Sequence, residues 1–78
     1  MADYTFSIPS DEEYNRLREL VGWETISRVQ FENGMANSVC VTARDGKDCV
    51  GFARMISDRG MLSYIADVMV DPAAQKQG

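Results

Sequence analysis

Residues 61–78 read MLSYIADVMVDPAAQKQG and join a long apolar run to a polar turn that ends in glycine. The run Met61–Val70 is apolar on both of its alternating faces apart from Ser63 and Asp67. Such a pattern is typical of a central strand that is covered on both sides. The turn after it can present backbone N–H groups to an anion ahead of a helix, because glycine permits close approach. A single glycine makes this only half of a phosphate loop.

Two further strands precede this one and complete an antiparallel meander. Val39–Arg44 is rich in β-branched residues, which favours a strand. Asp45-Gly46 is a strong hairpin signal, and the chain returns over Asp48–Ser57. A second turn at Asp58–Gly60 leads into Met61–Val70.

The hairpin turn also predicts which residues face each other. With Asp45 and Gly46 as the two loop residues, Thr42 and not Cys40 lies opposite Cys49, which argues against a disulfide. The same loop predicts three facing pairs, namely Arg44 with Lys47, Val41 with Val50, and Val39 with Phe52.

The N-terminal part predicts one strand and a first helix. Tyr4–Ile8 alternates apolar with small polar residues, as in a short half-buried strand. Ser10 and Glu13 have the spacing of a capping box, which predicts a helix over Asp11–Val21. Gly22 suits the position just after its last turn.

A second helix is predicted over Thr25–Ala36, frayed or bent near Gly34, since apolar residues recur there at roughly helical spacing. The order is then β-α-α-β-β-β. This order predicts an α+β fold in which both helices pack on one face of an antiparallel sheet.

The last strand and turn resemble the coenzyme-binding motif of the GNAT superfamily of acyl-CoA N-acyltransferases. Val68–Pro72 is similar to its V-x-V-x-P, and Gln75–Gly78 to the first four positions of its Q/R-x-x-G-x-G/A. Gly46–Arg54 is similar to the G-x-x-V-G-x-x-R hairpin, with one extra residue after the first glycine. The resemblance implies that residues 1–78 are a partial N-acetyltransferase domain. This would be the N-terminal half of the fold, truncated in the coenzyme-binding loop.

The resemblance also implies acetyl-CoA as co-substrate and an amine as acceptor. Backbone groups of the strand would bond the pantetheine arm, and amides of the loop would face the pyrophosphate. The residues so implied are Val68, Met69 and Val70 on the strand and Gln75, Lys76, Gln77 and Gly78 in the loop.

Asp67 is the preferred general base, because the family's base lies on or near this strand and Asp67 is its only carboxylate. Tyr64 is the second candidate. Strict alternation puts the two side chains on opposite faces, and a bulge, common in this strand of the family, would re-aim Asp67. The alternative for Asp67 is a purely structural hydrogen bond to a neighbouring element.

Composition excludes several other classes of function. The 78 residues carry 8 Lys and Arg against 12 Asp and Glu, a net charge of −4, which disfavours nucleic acid and anionic membranes. The absence of histidine excludes a His-based triad or metal site, and two cysteines cannot make a four-cysteine zinc site. No signal peptide or apolar run of ~20 residues is present, so we expect a soluble cytoplasmic protein with no metal.

Two functions remain as the main expectations, because the length of the match places a third, a purely structural α+β domain with a chance motif, well behind them. The first is an N-acetyltransferase whose parent protein transfers acetyl groups to a primary amine of a small molecule or a protein, with residues 1–78 inactive alone. The alternative is a non-catalytic interaction module that self-associates, for example as a homodimer, through an open sheet edge.

Overall fold

A computed structural model describes residues 3–58, 60–61 and 63–75 of the chain. Over these residues the strands form one antiparallel sheet of four strands, each paired with its neighbours in sequence order. No helix in this part of the chain has the length and apolarity needed to cross a membrane. The elements in chain order are β1 (Asp3–Thr5), α1 (Asp11–Leu20), α2 (Arg28–Ala36), β2 (Val39–Asp45), β3 (Asp48–Ser57), β4 (Ser63–Val70) and α3 (Pro72–Gln75).

Both long helices begin at capping boxes. The Ser10 hydroxyl accepts from the Glu13 N–H and Glu13 accepts from the Ser10 N–H, as predicted for α1. Ser27 and Gln30 form the same reciprocal pair at the start of α2. This second box moves the start of α2 three residues beyond the predicted Thr25, because the Ser27 backbone is extended rather than helical.

The predicted hairpin register is wrong. Asp45 faces Asp48, so the loop residues are Gly46 and Lys47, and Gly46 takes the positive φ of +64° that the tight turn requires. A bulge then makes Val50 an extra residue of β3. As a result Arg44 faces Cys49, Thr42 faces Phe52, Val41 faces Ala53 and Val39 faces Met55.

The two outer strands, β1 and β4, differ from the prediction. β1 is shorter than predicted, and β4 is more exposed to solvent than predicted. β1 is Asp3–Thr5 and not the predicted Tyr4–Ile8, because the chain leaves the sheet after Thr5. The Thr42 hydroxyl then donates to the Ser7 carbonyl. Among the described residues β4 is an edge strand, not a central one, and Val68 on it is 59% exposed. Its predicted first residues fall partly outside the described chain, since Leu62 lies there.

The core lies between the helices and one face of the sheet, as predicted. The Tyr14 ring packs against Phe31 and Phe52, with ring centroids 5.4 Å and 5.3 Å away. Leu17 and Met69 are almost completely buried beside them. The remaining members of this core are Met35, Cys40 and Cys49, and both cysteines are free thiols.

The opposite, helix-free face of the sheet is concave and apolar. A groove of about 470 Å³ lies on it. Small side chains at the central positions, Ala43, Gly51 and Ala53, leave space for this groove. The lining includes Val41, Ala43, Gly51, Ala53, Val68 and Val70.

Candidate functional site

A bulge in β4 organises the candidate site. Arg54 faces Asp67 whereas Met55 faces Ile65, so Ala66 is an extra residue on β4. Beyond the bulge Ile56 faces Tyr64. Ile56 and Arg54 lie on the same face of β3, and facing residues share a face of the sheet. The bulge therefore brings Tyr64 to the helix face, the same face as Asp67.

Asp67 is buried on this face and holds two donors. Its Oδ2 accepts 2.8 Å hydrogen bonds from Arg54 Nε on β3 and from the Tyr14 hydroxyl on α1. The carboxylate side chain is 9% exposed and the guanidinium 20%, so water screens their ion pair only weakly. Both donors bind the same carboxylate oxygen, so together they fix the orientation of the Asp67 side chain.

Tyr14 connects Asp67 to the end of α1. Arg18 Nη1 donates to the Tyr14 hydroxyl at 3.3 Å, and the Arg18 guanidinium lies over the rings of both Tyr14 and Trp23. Burial raises the pKa of Tyr14 above its ordinary value of 10.0, and the hydrogen bond to Asp67 raises it further. Tyr14 therefore stays protonated at neutral pH and acts as a donor to Asp67.

Arg54 is held from the other side by α2 and the turn after it. Its Nη1 donates to Ser38 Oγ at 3.4 Å. A β-carbon at Gly34 would lie 3.2 Å from the same nitrogen. Glycine in the middle of α2 thus leaves room for the guanidinium, which explains the apparent interruption of the helical pattern.

The open edge of β4 is the second part of the candidate site. The Asp71 N–H donates to the Val50 carbonyl at 2.8 Å. Since antiparallel ladders alternate, the peptide groups of Met69 face β3, and those of Val68 point away from it. Of the residues predicted to bond the pantetheine arm, Val68 thus directs its N–H and C=O toward the open edge, whereas Met69 does not.

Only the start of the predicted phosphate loop is described. Gln75 is the last residue of α3, while Lys76, Gln77 and Gly78 lie outside the described residues. The roles predicted for all four stay predictions, as does that of Asp67. In the described part of the chain no three His, Cys, Asp or Glu side chains come together as a metal site.

The sequence interpretation did not assign roles to Tyr14 or Arg54. A signal for Arg54 was available, because Arg54 and Asp67 are lone charges within two otherwise apolar stretches of adjacent strands. Buried charges are usually paired, so opposite charges on neighbouring strands predict a partner. Tyr14 has no such signal, since its spacing equally fits an ordinary core residue.

The chain is similar to known proteins over most of its length. Residues 3–78 match the family model described as Acetyltransferase (GNAT) family. No curated protein matches the chain.

Two solved structures are similar over almost all of the chain. One is a protein of unknown function from methicillin-resistant Staphylococcus aureus, described as a probable acetyltransferase, with TM-score 0.87, 33% identity, and coverage of 99% of this chain and 59% of that one. The other is a GNAT-family acetyltransferase from Streptococcus pneumoniae, with TM-score 0.79, 28% identity, and coverage of 100% and 58%. The chain spans less than two thirds of the length of either protein.

Proposed function

The chain belongs to the GNAT acetyltransferase family, and from this premise we propose that the protein transfers an acetyl group from acetyl-CoA to a primary amine of a small molecule or a protein. Residues 1–78 are in this proposal the first part of the catalytic domain. The observation that carries it is the bulged β4, which combines a buried carboxylate on one face with a backbone edge at Val68 that no strand of the described residues pairs with.

The proposed reaction is direct transfer between the two substrates. The amine nitrogen attacks the thioester carbonyl, so that an N–C bond forms and the C–S bond breaks. The amine loses one proton to a base, and coenzyme A leaves as the thiolate, which then takes up a proton.

Asp67 is the proposed base. Both of its donors bind Oδ2, so we assign Oδ1 to the acceptor amine or to a water between them. Tyr14 and Arg54 then fix the direction of the carboxylate, and orientation of this kind is a large part of general-base catalysis.

The coenzyme is proposed to lie along the open edge of β4. Val68 would exchange backbone hydrogen bonds with the pantetheine arm, as an added strand does. Amides of residues 75–78 would face the pyrophosphate. Lys76 would add a positive charge to this loop.

The test is an acetyl-transfer assay with acetyl-CoA and a panel of primary amines, using the full-length protein and residues 1–78 alone. We expect amine-dependent release of coenzyme A from the full-length protein. We expect none from residues 1–78 alone, because they span only 59% and 58% of the lengths of the two similar structures. No amine-dependent release by the full-length protein would refute the proposal.

The role of Asp67 is tested separately in the full-length protein. Asp67→Asn should lower kcat by at least about 100-fold, the usual contribution of a general base, while acetyl-CoA binding persists. The matched control is Glu19→Gln, which neutralises an exposed carboxylate on α1. An Asp67→Asn variant that binds acetyl-CoA and keeps its kcat would assign Asp67 a structural role only.

A further inference from the structure

Asp71 follows β4 and is fixed on both its main chain and its side chain. Its N–H donates to the Val50 carbonyl at 2.8 Å, and its carbonyl accepts from the Ala74 N–H at 2.9 Å. Carboxylate Oδ1 accepts from the Ala73 N–H at 2.9 Å, which caps the first turn of α3. The turn leading toward the proposed coenzyme loop therefore starts from a buried carboxylate.

Arg16 on α1 holds the other oxygen of that carboxylate. Arg16 Nη2 donates to Asp71 Oδ2 at 3.2 Å, and Nη1 donates to the Cys49 carbonyl at 3.4 Å. The bulge at Val50 interrupts the β2–β3 ladder at this point. The Cys49 carbonyl lies next to this bulge and gives Arg16 a second acceptor beside Asp71.

The negative charge of Asp71 would repel the coenzyme pyrophosphate that is expected nearby. The Asp71 side chain is only 12% exposed, so water screens its charge poorly, whereas the Arg16 side chain is 55% exposed. The four residues proposed to face the coenzyme pyrophosphate begin at Gln75, four positions further along the chain. An unneutralised carboxylate this close to the start of that loop would repel phosphate.

We propose that Arg16 is a positioning residue for acyl-CoA, because it neutralises Asp71 and so allows a carboxylate to cap this turn without repelling the coenzyme's phosphates. This inference rests on the proposed function. Arg16 acts through Asp71 and not on the reacting atoms. Its removal therefore changes how well the phosphate-bearing coenzyme binds and leaves the chemical step unchanged.

The experiment measures kcat and KM of the full-length protein with acetyl-CoA and with acetyl-pantetheine, which lacks the phosphates. Arg16→Gln should raise KM for acetyl-CoA about tenfold, or about 1.4 kcal/mol. Three other constants should stay within about twofold of the wild-type values, which corresponds to no more than about 0.4 kcal/mol. They are kcat, the KM for the amine, and kcat/KM for acetyl-pantetheine. Loss of folding would instead affect both thioesters equally.

A second experiment removes the charge of Asp71 with the substitution Asp71→Asn. Asparagine Oδ1 can still accept from the Ala73 N–H, so the cap persists without the charge. Added to Arg16→Gln, this substitution should therefore return KM for acetyl-CoA to within about threefold of wild type. The matched control is Arg28→Gln, which removes a guanidinium of the same charge from an exposed pair on α2 and should leave every constant unchanged.

The outcomes separate the two proposals. A wild-type protein that neither binds nor turns over acetyl-CoA refutes the proposed function, and this inference with it. A wild-type protein that is active while Arg16→Gln leaves KM for acetyl-CoA unchanged refutes only the role of Arg16. The same holds if Arg16→Gln weakens acetyl-pantetheine equally, or if Asp71→Asn fails to rescue it.

Discussion

Breaking the Arg54–Asp67 pair from one side should destabilise the fold strongly. Arg54→Met keeps most of the side-chain volume but leaves a carboxylate that is 9% exposed with Tyr14 as its remaining donor. Removing one partner of a fully buried pair costs about 3–5 kcal/mol. Because the guanidinium is 20% exposed and Tyr14 remains as a donor, we expect a loss at or just below the lower end of that range, about 2–3 kcal/mol.

Urea unfolding of the full-length protein, followed by circular dichroism, measures this loss. A small domain has a total stability of only about 5–15 kcal/mol, so Arg54→Met is expected to be folded but weakened. The double variant Arg54→Met with Asp67→Leu removes both charges and should recover most of the loss, since apolar replacement of a buried pair is often neutral. If Arg54→Met alone fails to fold, a folded double variant still shows that the loss comes from the unpaired Asp67 charge.

The double-mutant cycle decides the interpretation. The coupling free energy between the two positions should be about 2 kcal/mol, well beyond the roughly 0.5 kcal/mol scatter of independent sites. Arg28→Gln, in an exposed pair, should change stability by less than about 0.5 kcal/mol. Additive effects at Arg54 and Asp67, or an Arg54→Met cost as small as that of Arg28→Gln, would refute the reasoning.

Three further predictions concern pH, thiols and association. Hydrogen bonds from Arg44 at 2.6 Å and 2.8 Å lower the pKa of Glu13 from 4.5 to about 2, so its stabilisation is complete above pH 4.5 and is lost as the pH falls toward 2. At pH 7 the free energy of unfolding of the wild type should exceed that of Glu13→Gln by about 1 kcal/mol, after allowance for partial exposure. A difference in the free energy of unfolding that persists at pH 2 in an acid titration would contradict this. Burial raises the pKa of the Cys40 and Cys49 thiols, so a thiol reagent at pH 7 should label them only after unfolding, and rapid labelling of the native protein would be the opposite result. Residues 1–78 alone should self-associate in sedimentation through the exposed edge and groove of β4, Val68→Lys should reduce this, and a stable monomer at high concentration would count against it.

The parts of the fold that could be predicted are those specified by neighbouring residues. The capping box at Ser10 and the positive φ of +87° at Gly22 fix both ends of α1 locally. The box at Ser27 is equally local, and its Ser-x-x-Gln spacing is readable in the sequence. The start of α1, its end and the start of α2 each have a signal in neighbouring residues.

The hairpin register could not be predicted in the same way. Asp45-Gly46 is compatible with a loop that starts at Asp45 or at Gly46, and the choice shifts every pair after it. The backbone at the Val50 bulge also contacts distant parts of the chain, since the Cys49 carbonyl accepts from Arg16 and the Val50 carbonyl accepts from the Asp71 N–H.

One residue of the candidate site could be predicted from its local sequence, and its partners could not. Asp67 is identifiable because it is the only carboxylate in an apolar strand. Its donors come from α1 and β3, which are 53 and 13 residues away in sequence. No local pattern predicts that Tyr14 would donate to Asp67, because this contact arises only when the helix packs on the sheet.

The bulge at Ala66 has a consequence for how the length of this strand can vary. Removing Ala66 would leave the pairs on both sides of it unchanged, from Ser57–Ser63 to Gly51–Val70. The sheet can therefore assemble without this residue, and a bulge interrupts the ladder where it occurs. Strand pairing does not require Ala66, yet Ala66 bends β4 beside Asp67, the only buried carboxylate of that strand. Selection for activity would therefore keep this residue, whereas selection for folding alone would not. Single-residue deletion at this position thus separates the two kinds of constraint.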